Sequence, residues 1–311
     1  MRIAIIGSGA MGSLFGGRLA QAGASVLLYD VYKEHVEAVA KNGLAIEEAA
    51  TGAVTVARPE ASADPESVRG AEVLIVFVKS TSTEAAAAQF APLAGGNAVV
   101  LTLQNGLGNE AILRKHFGAE RTAAGVTSQG ATFLGPGKIR HAGKGPTHIC
   151  MADGRNERLT DLAALLQRAG FETHVEKDVA GLVWSKLVVN VGINALTALL
   201  NVTNGRLADF PETRVLMADL VAEAVAVANA RAVRLNYADP LQAVLDVARK
   251  TGANRSSMLQ DFDRKRETEI DFINGAIVRE AETLGIPVPV NAAVTRLIKT
   301  LDAVHAEPAG K

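Results

Sequence analysis

Residues 1–30, MRIAIIGSGAMGSLFGGRLAQAGASVLLYD, combine two short apolar runs with a glycine-rich turn between them. A short apolar run ends at Gly7, the pattern GSGAMG continues through Gly12, and the next ten residues have a helical composition. A second apolar run then ends at Asp30. A strand, a glycine turn, a helix and a second strand, with an acid about twenty residues after the glycines, are typical of a dinucleotide-binding βαβ unit.

The glycines of the turn have separate physical roles in such a unit. Gly7 permits the tight turn, Gly9 lets the backbone approach a pyrophosphate, and Gly12 lets helix and strand pack closely. The phosphates would lie at the helix N-terminus, where free N–H groups and the helix dipole favour negative charge. A signal peptide or a glycine-rich linker is the alternative, but the apolar run is too short for a signal peptide. The residues expected to hold the cofactor here are Gly7, Ser8, Gly9, Ala10, Met11, Gly12 and Asp30.

The composition argues against several classes of protein. A chain of 311 residues has room for two domains, and 48% hydrophobic with 21% charged residues is typical of a globular protein. The net charge of −1 gives no electrostatic footprint for nucleic acid or an anionic membrane. The single cysteine, Cys150, allows no intramolecular disulfide, so a reducing cytoplasm is the expected location.

We expect neither a membrane span nor a metal site. The longest apolar candidate, residues 187–200, contains Asn190 and Asn194 and is interpreted as a buried helix. The histidines show no spacing typical of metal ligands, so they are interpreted as surface or hydrogen-bonded side chains.

Two domains are predicted from the change in periodicity. Alternating strand and helix patterns over residues 1–177 predict an α/β dinucleotide-binding domain with a Rossmann-type doubly wound sheet. Two of its strands stop at Lys79 and just before Asn105, which places these residues near the cofactor because ligands collect at the carboxyl ends of parallel strands. Residues 178–311 show only helical periodicity and predict an all-α substrate domain, whose long helices also offer a face for a homodimer.

A polar stripe marks the first helix of the second domain. Lys186, Asn190 and Asn194 share one helix face, because positions four apart drift by only about 40° per step. A lysine and two amides on an otherwise apolar helix need polar partners, which makes them a candidate site. A capped and solvated helix edge explains the same spacing equally well.

Two later segments contain further candidates. Ser256 or Ser257 fits the N-cap of a helix, and free N–H groups at that point could receive a carboxylate. Glu269 lies among apolar neighbours and, considered alone, is interpreted as a surface helix acid.

Together these residues resemble the ketopantoate reductase (2-dehydropantoate 2-reductase) family over nearly the whole chain. The motifs that carry the resemblance are the GSGAMG turn, Lys79 after its strand, Gln104-Asn105-Gly106, Lys186 with Asn190 and Asn194, Asn204-Gly205, Ser256 to Asp261, and Glu269-Ile270-Asp271. A GxGxxG pattern alone is weak evidence for a family, whereas this ordered set of motifs across both domains is specific to one.

The resemblance implies an enzyme that transfers hydride from NAD(P)H to the ketone of ketopantoate, a small 2-keto acid, giving pantoate for pantothenate biosynthesis. It implies that Lys186 is the general acid that protonates the ketone oxygen. The expected substrate ligands are Asn190, Asn194 and Asn204 for the oxygen functions, Ser257 for a carboxylate or hydroxyl, and Asn105 between nicotinamide and substrate. Lys79 and Glu269 would contact the cofactor or close a cleft between the domains.

One departure from the family concerns the choice of cofactor. An arginine just after the second strand commonly meets the 2′-phosphate of NADPH in this family, but this chain has Asp30 at the end of that strand. A carboxylate accepts hydrogen bonds from a ribose 2′-hydroxyl and repels a 2′-phosphate, which predicts NADH. Lys33 could supply a compensating charge, so NADPH, the usual cofactor of the family, stays open.

Three rival functions are compatible with the same sequence. Two are enzymes of the same fold, a reductase of another 2-keto acid and an opine-type dehydrogenase. The third is a cofactor-binding sensor without turnover. Lys186 argues against the sensor, because a protein that only binds needs no proton donor.

Overall fold

The computed structural model describes residues 1–307 and divides the chain into two compact units. The N-terminal unit comprises Met1–Gln104 and Asn109–Val179, and the helical unit comprises Asn105–Gly108 and Ala180–Lys311. The predicted fold class, a Rossmann-type α/β unit followed by an all-α unit, is confirmed. The assignment of residues 1–177 and 178–311 as functional domains stays a prediction.

The N-terminal unit alternates strands and helices as its sequence pattern predicts. Its strands are β1 Arg2–Ile6, β2 Ser25–Tyr29, β3 Leu44–Glu48, β4 Val54–Ala57, β5 Glu60–Ser62, β6 Val73–Val76, β7 Val99–Thr102, β8 Thr122–Thr127, β9 Gly130–Gly135, β10 Lys138–Gly143, β11 Thr147–Met151 and β12 Thr173–Val175. Its helices are α1 Ala10–Gln21, α2 Lys33–Asn42, α3 Thr83–Phe90, α4 Asn109–Phe117 and α5 Thr160–Arg168.

Eight strands form the main sheet in the order β12-β11-β8-β7-β6-β1-β2-β5. Strands β5, β2, β1, β6, β7 and β8 run parallel, and β11 is antiparallel to β8. On β1, Ile3 and Ile5 belong to one apolar cluster, whereas Ala4 and Ile6 belong to another. Both faces of the sheet are therefore covered, as a parallel sheet requires.

The segment between residues 44 and 57 forms a second, smaller sheet instead of extending the main one. Strands β3 and β4 combine with the β9–β10 hairpin in the order β4-β3-β10-β9, with β10 parallel to β3. This pairing joins segments about ninety residues apart, which the local sequence pattern does not reveal.

The helical unit contains six helices among the residues that the structure describes. They are α6 Ala180–Leu200, α7 Pro211–Ala230, α8 Pro240–Lys250, α9 Ser257–Asp263, α10 Asn274–Leu284 and α11 Pro289–Ala306. Helix α6 is long and apolar enough to cross a membrane by length and composition, but most of it is buried among the other helices, as its interpretation as a core helix predicts.

Phe15 packs α1 against the core of the N-terminal unit. Its fully buried ring stacks on Phe171 at a centroid distance of 4.2 Å and lies 5.1 Å from the ring of Phe77. Since α1 begins at the glycine turn, this packing also fixes the position of that turn.

We predict that Phe15→Ala lowers the free energy of unfolding of the full chain by about 3–5 kcal/mol, because it removes a buried ring and leaves a cavity. The matched variant Phe15→Leu refills most of that space, so it should lower the free energy of unfolding by less than half of that amount. Urea unfolding measures both variants. Equal losses for the two substitutions would contradict the packing role of the ring.

Candidate active site

The turn between β1 and α1 has the geometry that its three glycines predict. Gly7 has a φ of +93°, and a Cβ on this residue would lie 2.7 Å from the amide nitrogen of Val78. A Cβ on Gly12 would overlap the carbonyl oxygen of Gly7, so no other residue lets α1 approach β1 this closely. The Cβ position of Gly9 has no atom within 4 Å. This open space at a helix N-terminus fits a pyrophosphate.

Asp30 follows β2 and is hydrogen-bonded to the same turn. Its Oδ2 accepts hydrogen bonds from the Ser8 amide at 2.7 Å and the Ser8 hydroxyl at 3.3 Å, and its Oδ1 accepts one from the Tyr32 amide at 3.0 Å. A carboxylate has about four acceptor positions, so these three bonds leave capacity for a further donor. Lys33 is exposed at the first residue of α2.

Ser13 and His35 also contact the turn, although no sequence motif indicates this role for them. The hydroxyl of Ser13 donates to the Ser8 carbonyl at 2.7 Å and lies 3.1 Å from Nε2 of His35. Nδ1 of His35 accepts a hydrogen bond from the Gly137 amide at 3.0 Å. No local pattern could indicate this arrangement, because Gly137 lies 102 positions further along the chain.

The carboxyl ends of β6 and β7 carry the next two predicted residues. Lys79 is half-buried and precedes a 3₁₀ turn at Ser80–Ser82. The side-chain amide of Gln104 donates to the Val78 carbonyl at 2.7 Å and to the Thr83 hydroxyl at 2.8 Å, so it connects the two strand ends.

Asn105 lies three residues after the end of β7 and belongs to the helical unit with the rest of Asn105–Gly108. The Leu107 amide donates to the Phe272 carbonyl at 2.9 Å, and Gly106 leaves no room for a side chain against the same residue. The Gln104-Asn105-Gly106 motif is therefore divided between the two units.

The predicted polar stripe lies on one continuous helix, α6. Lys186 and Asn190 are half-buried, and Asn194 is buried. Burial lowers the pKa of Lys186 from its ordinary value of 10.5 to about 8, against an opposing effect of the Glu269 carboxylate, which favours the ammonium form. A lysine with this pKa changes charge just above neutral pH, which is the property that proton transfer requires.

The interpretation of Glu269 as a surface helix acid is wrong. Only 8% of this residue is exposed, and it precedes a 3₁₀ turn, Ile270–Phe272, instead of lying on an α-helix. Its buried carboxylate acts electrostatically on Lys186. Helix α9 ends at Asp263, and tertiary packing buries residues 268–270.

The N-cap of α9 is Ser256, which decides between the two serines. The Ser256 hydroxyl accepts a hydrogen bond from the Leu259 amide at 3.1 Å and lies 2.7 Å from the Thr197 hydroxyl oxygen. Ser257 is exposed, and its hydroxyl lies 3.4 Å from the Asn194 side-chain nitrogen. Two of the predicted substrate ligands are thus neighbours in space.

Asn204 lies at the start of the 3₁₀ turn Asn204–Ala208. Its side-chain nitrogen donates to the Thr251 hydroxyl at 2.8 Å, and its main-chain amide donates to the Asn254 carbonyl at 3.0 Å. Its buried Oδ1 has no hydrogen-bond partner within the described part of the chain. A buried acceptor without a donor is costly and is satisfied when a ligand or water supplies one.

Neither a metal cluster nor a reactive cysteine is found at these positions. Within residues 1–307, no group of three histidine, cysteine, aspartate or glutamate side chains is arranged to hold a metal ion. Cys150 is buried in β11, and burial raises the pKa of its thiol to about 11, so it is a core residue.

Comparison with known proteins gives matches over both units. The family profile Ketopantoate reductase PanE/ApbA matches residues 3–154, and the profile of the C-terminal part of that family matches residues 178–302. The 2-dehydropantoate 2-reductase of Halobacterium salinarum is 39% identical over 300 residues, which cover 96% of this chain and 98% of that protein.

Two solved structures share the whole architecture. A PanE/ApbA family ketopantoate reductase from Ralstonia eutropha JMP134 has a TM-score of 0.90 and 35% identity, covering 99% of this chain and 100% of that one. A D-mandelate dehydrogenase in ternary complex with NADH and anilino(oxo)acetate has a TM-score of 0.90 and 29% identity over the same shares.

The fold and these relatives define an NAD(P)-dependent oxidoreductase that acts on a keto group. The chain belongs to the ketopantoate reductase PanE/ApbA family, which confirms the resemblance found in its sequence motifs.

We predict that Lys186 titrates near pH 8 in the full chain, because burial disfavours its ammonium form. Reductive ¹³C-methylation followed by NMR measures the midpoint, with the signal assigned by its loss in Lys186→Arg. Glu269→Gln should lower the midpoint, because it removes the charge that favours the ammonium. An unshifted Lys186 would contradict this assignment.

Proposed function

We propose that this protein reduces ketopantoate to pantoate with a nicotinamide cofactor and that Lys186 is its proton donor. The observation that carries the proposal is the half-buried Lys186 on α6, with its pKa lowered to about 8 and the buried Glu269 carboxylate acting on it. When bound, the nicotinamide supplies hydride to the ketone carbon.

The glycine turn would bind the cofactor. The backbone of Gly7 to Gly12 at the start of α1 would hold the pyrophosphate, and Asp30 would accept a hydrogen bond from the adenosine ribose. The open space beside Gly9 supports this role, because a bulky ligand can approach the backbone there. Lys79 would contact the same ligand through its ammonium group. Residues 1–177 would thus form the cofactor domain.

Lys186 would donate a proton to the substrate oxygen as negative charge develops on it. General acids work best with a pKa near the operating pH, and a lysine near 8 is still mostly protonated at neutral pH. Glu269 would keep Lys186 protonated by favouring the ammonium form. This indirect role is compatible with the cofactor contact or cleft closure that the family resemblance implies for Glu269.

The amides of the helical unit would orient the substrate. Asn194 and Ser257, whose polar atoms lie 3.4 Å apart, would bind neighbouring oxygens of the carboxylate or hydroxyl. Asn190 shares their helix face with Lys186, and Asn204 offers an unsatisfied acceptor to a hydroxyl. Asn105 would lie between the nicotinamide and the substrate. We further propose a cytoplasmic enzyme, with helices of residues 178–311 forming a homodimer face.

Another 2-keto acid is the second candidate substrate, because a D-mandelate dehydrogenase shares the whole fold. Initial rates with ketopantoate, benzoylformate and pyruvate, each with NADH and NADPH, distinguish the candidates. Ketopantoate should give the largest kcat/KM. Faster reduction of benzoylformate would favour the second candidate, an amine-dependent reaction would favour an opine-type dehydrogenase, and no turnover would favour a sensor.

We predict that Lys186→Ala lowers kcat by roughly 10²- to 10⁴-fold, which is the usual contribution of a general acid. Lys250→Ala, which removes an exposed lysine of the same unit, is the matched control and should keep wild-type turnover. Single-turnover rates at saturating NADH measure the chemical step directly. A Lys186→Ala variant with near-normal turnover rules out the proton-donor role.

We predict that NADH gives a larger kcat/KM than NADPH. The Asp30 carboxylate accepts hydrogen bonds from the Ser8 and Tyr32 amides. The side chain therefore cannot rotate away from a 2′-phosphate without breaking these bonds. Steady-state kinetics with both cofactors tests this preference, and Lys33→Ala tests the compensating charge. A clear NADPH preference that disappears in Lys33→Ala would show that Lys33 overrides Asp30.

A further inference from the structure

The peptide group between Ser8 and Gly9 is held by a chain of three hydrogen bonds. The Ser13 hydroxyl donates to the Ser8 carbonyl at 2.7 Å, Nε2 of His35 lies 3.1 Å from that hydroxyl, and the Gly137 amide donates to Nδ1 of His35 at 3.0 Å. These contacts connect α1, the start of α2 and the β9–β10 turn to one peptide of the glycine turn.

The direction of these bonds fixes the protonation state of His35. Nδ1 accepts the Gly137 proton and therefore carries none of its own. The Ser13 hydroxyl uses its one proton on the Ser8 carbonyl, so it must accept a proton from Nε2. His35 is thus neutral with its proton on Nε2, and burial lowers the pKa of His35, which favours the same state.

Water cannot replace any of the groups that make these three hydrogen bonds. Ser8 and Ser13 have no exposed surface, and His35 is 1% exposed beneath the rings of Tyr32 and Phe133. Loss of one buried partner therefore leaves the next group unsatisfied, which costs more than an exposed hydrogen bond.

The orientation of this peptide determines what the turn offers to a ligand. In a planar trans peptide the carbonyl and the N–H point in opposite directions, so anchoring the Ser8 carbonyl to Ser13 directs the Gly9 N–H the other way. Gly9 has no side chain to prevent a flip of this peptide, and a flip would direct a carbonyl oxygen where the N–H had pointed. An anion would then meet a partial negative charge in place of a donor.

We propose that Ser13 and His35 are positioning residues that prevent this flip and keep the Gly9 N–H directed toward the cofactor pyrophosphate. The proposal rests on the proposed function, because it assumes that the glycine turn binds a nicotinamide dinucleotide. Ser13 and His35 would thus increase the affinity for the cofactor without touching it. Asp30 holds the preceding amide, that of Ser8, so the peptides on both sides of Ser8 are anchored.

The first test is the affinity of the full-length Ser13→Ala variant, measured by calorimetry without turnover. Its Kd for NADH should rise roughly 3- to 10-fold, the effect of one hydrogen bond, and its Kd for ADP-ribose should rise by the same factor because both ligands carry the pyrophosphate. At saturating NADH its kcat should stay within about twofold of wild type, because the lost interaction concerns binding.

Two substitutions of His35 separate positioning from folding. The amide nitrogen of Gln can replace Nε2, so His35→Gln keeps the bond to Ser13 and should keep near-normal NADH affinity. His35→Asn can replace only Nδ1, so it should lose affinity as Ser13→Ala does. Thr122→Val removes another fully buried hydroxyl, which donates to the Gly118 carbonyl at 2.8 Å, and should lower the Tm without changing the Kd.

Wild-type affinity in Ser13→Ala would overturn the proposal, and so would equal affinities of the two His35 variants. A loss of kcat without a change in Kd would also overturn it. If the wild-type protein binds neither NADH nor NADPH, the proposed function itself fails, and this outcome is visible before any variant is compared.

Discussion

The close approach of α1 to β1 is the constraint on which the N-terminal unit depends. It is possible only because Gly7 adopts a positive φ and Gly12 has no side chain to overlap the Gly7 carbonyl. This contact sets the helix N-terminus against the carboxyl end of β1 at the centre of the parallel strands. Asp30, which follows β2, is hydrogen-bonded to the same turn, so the position of the helix and the candidate cofactor site depend on one steric condition.

In the helical unit, the charge of the half-buried Lys186 has the same importance. Helix α6 forms the core of that unit, yet it carries Lys186, whose ammonium is disfavoured by burial and favoured by Glu269. A core helix gains nothing in stability from a lysine that must be desolvated, since an apolar side chain would pack there at lower cost. The proposed role of Lys186 as proton donor gives a reason for this cost, and it agrees with the oxidoreductase family to which the chain belongs.

Features set by local sterics could be predicted from the sequence, and features set by long-range contacts could not. The glycine turn and the stripe on α6 follow from spacing alone, because a few adjacent residues determine them. The burial of Glu269, the bond between His35 and Gly137, and the pairing of β10 with β3 depend on residues far apart in the chain. Asn105 was placed correctly after its strand, but only packing against Phe272 shows that its segment belongs to the helical unit.

The pH dependence of kcat/KM for ketopantoate reduction is the sharpest test of Lys186 as the proton donor. A general acid must be protonated to act, and the pKa of Lys186 is lowered to about 8. We therefore expect a plateau of kcat/KM below this pH and a fall of about tenfold per pH unit above it. In Glu269→Gln the fall should begin at lower pH, because the charge that favours the ammonium is gone. A rate that stays constant well above pH 8, or the same midpoint in both proteins, would contradict Lys186 as the proton donor.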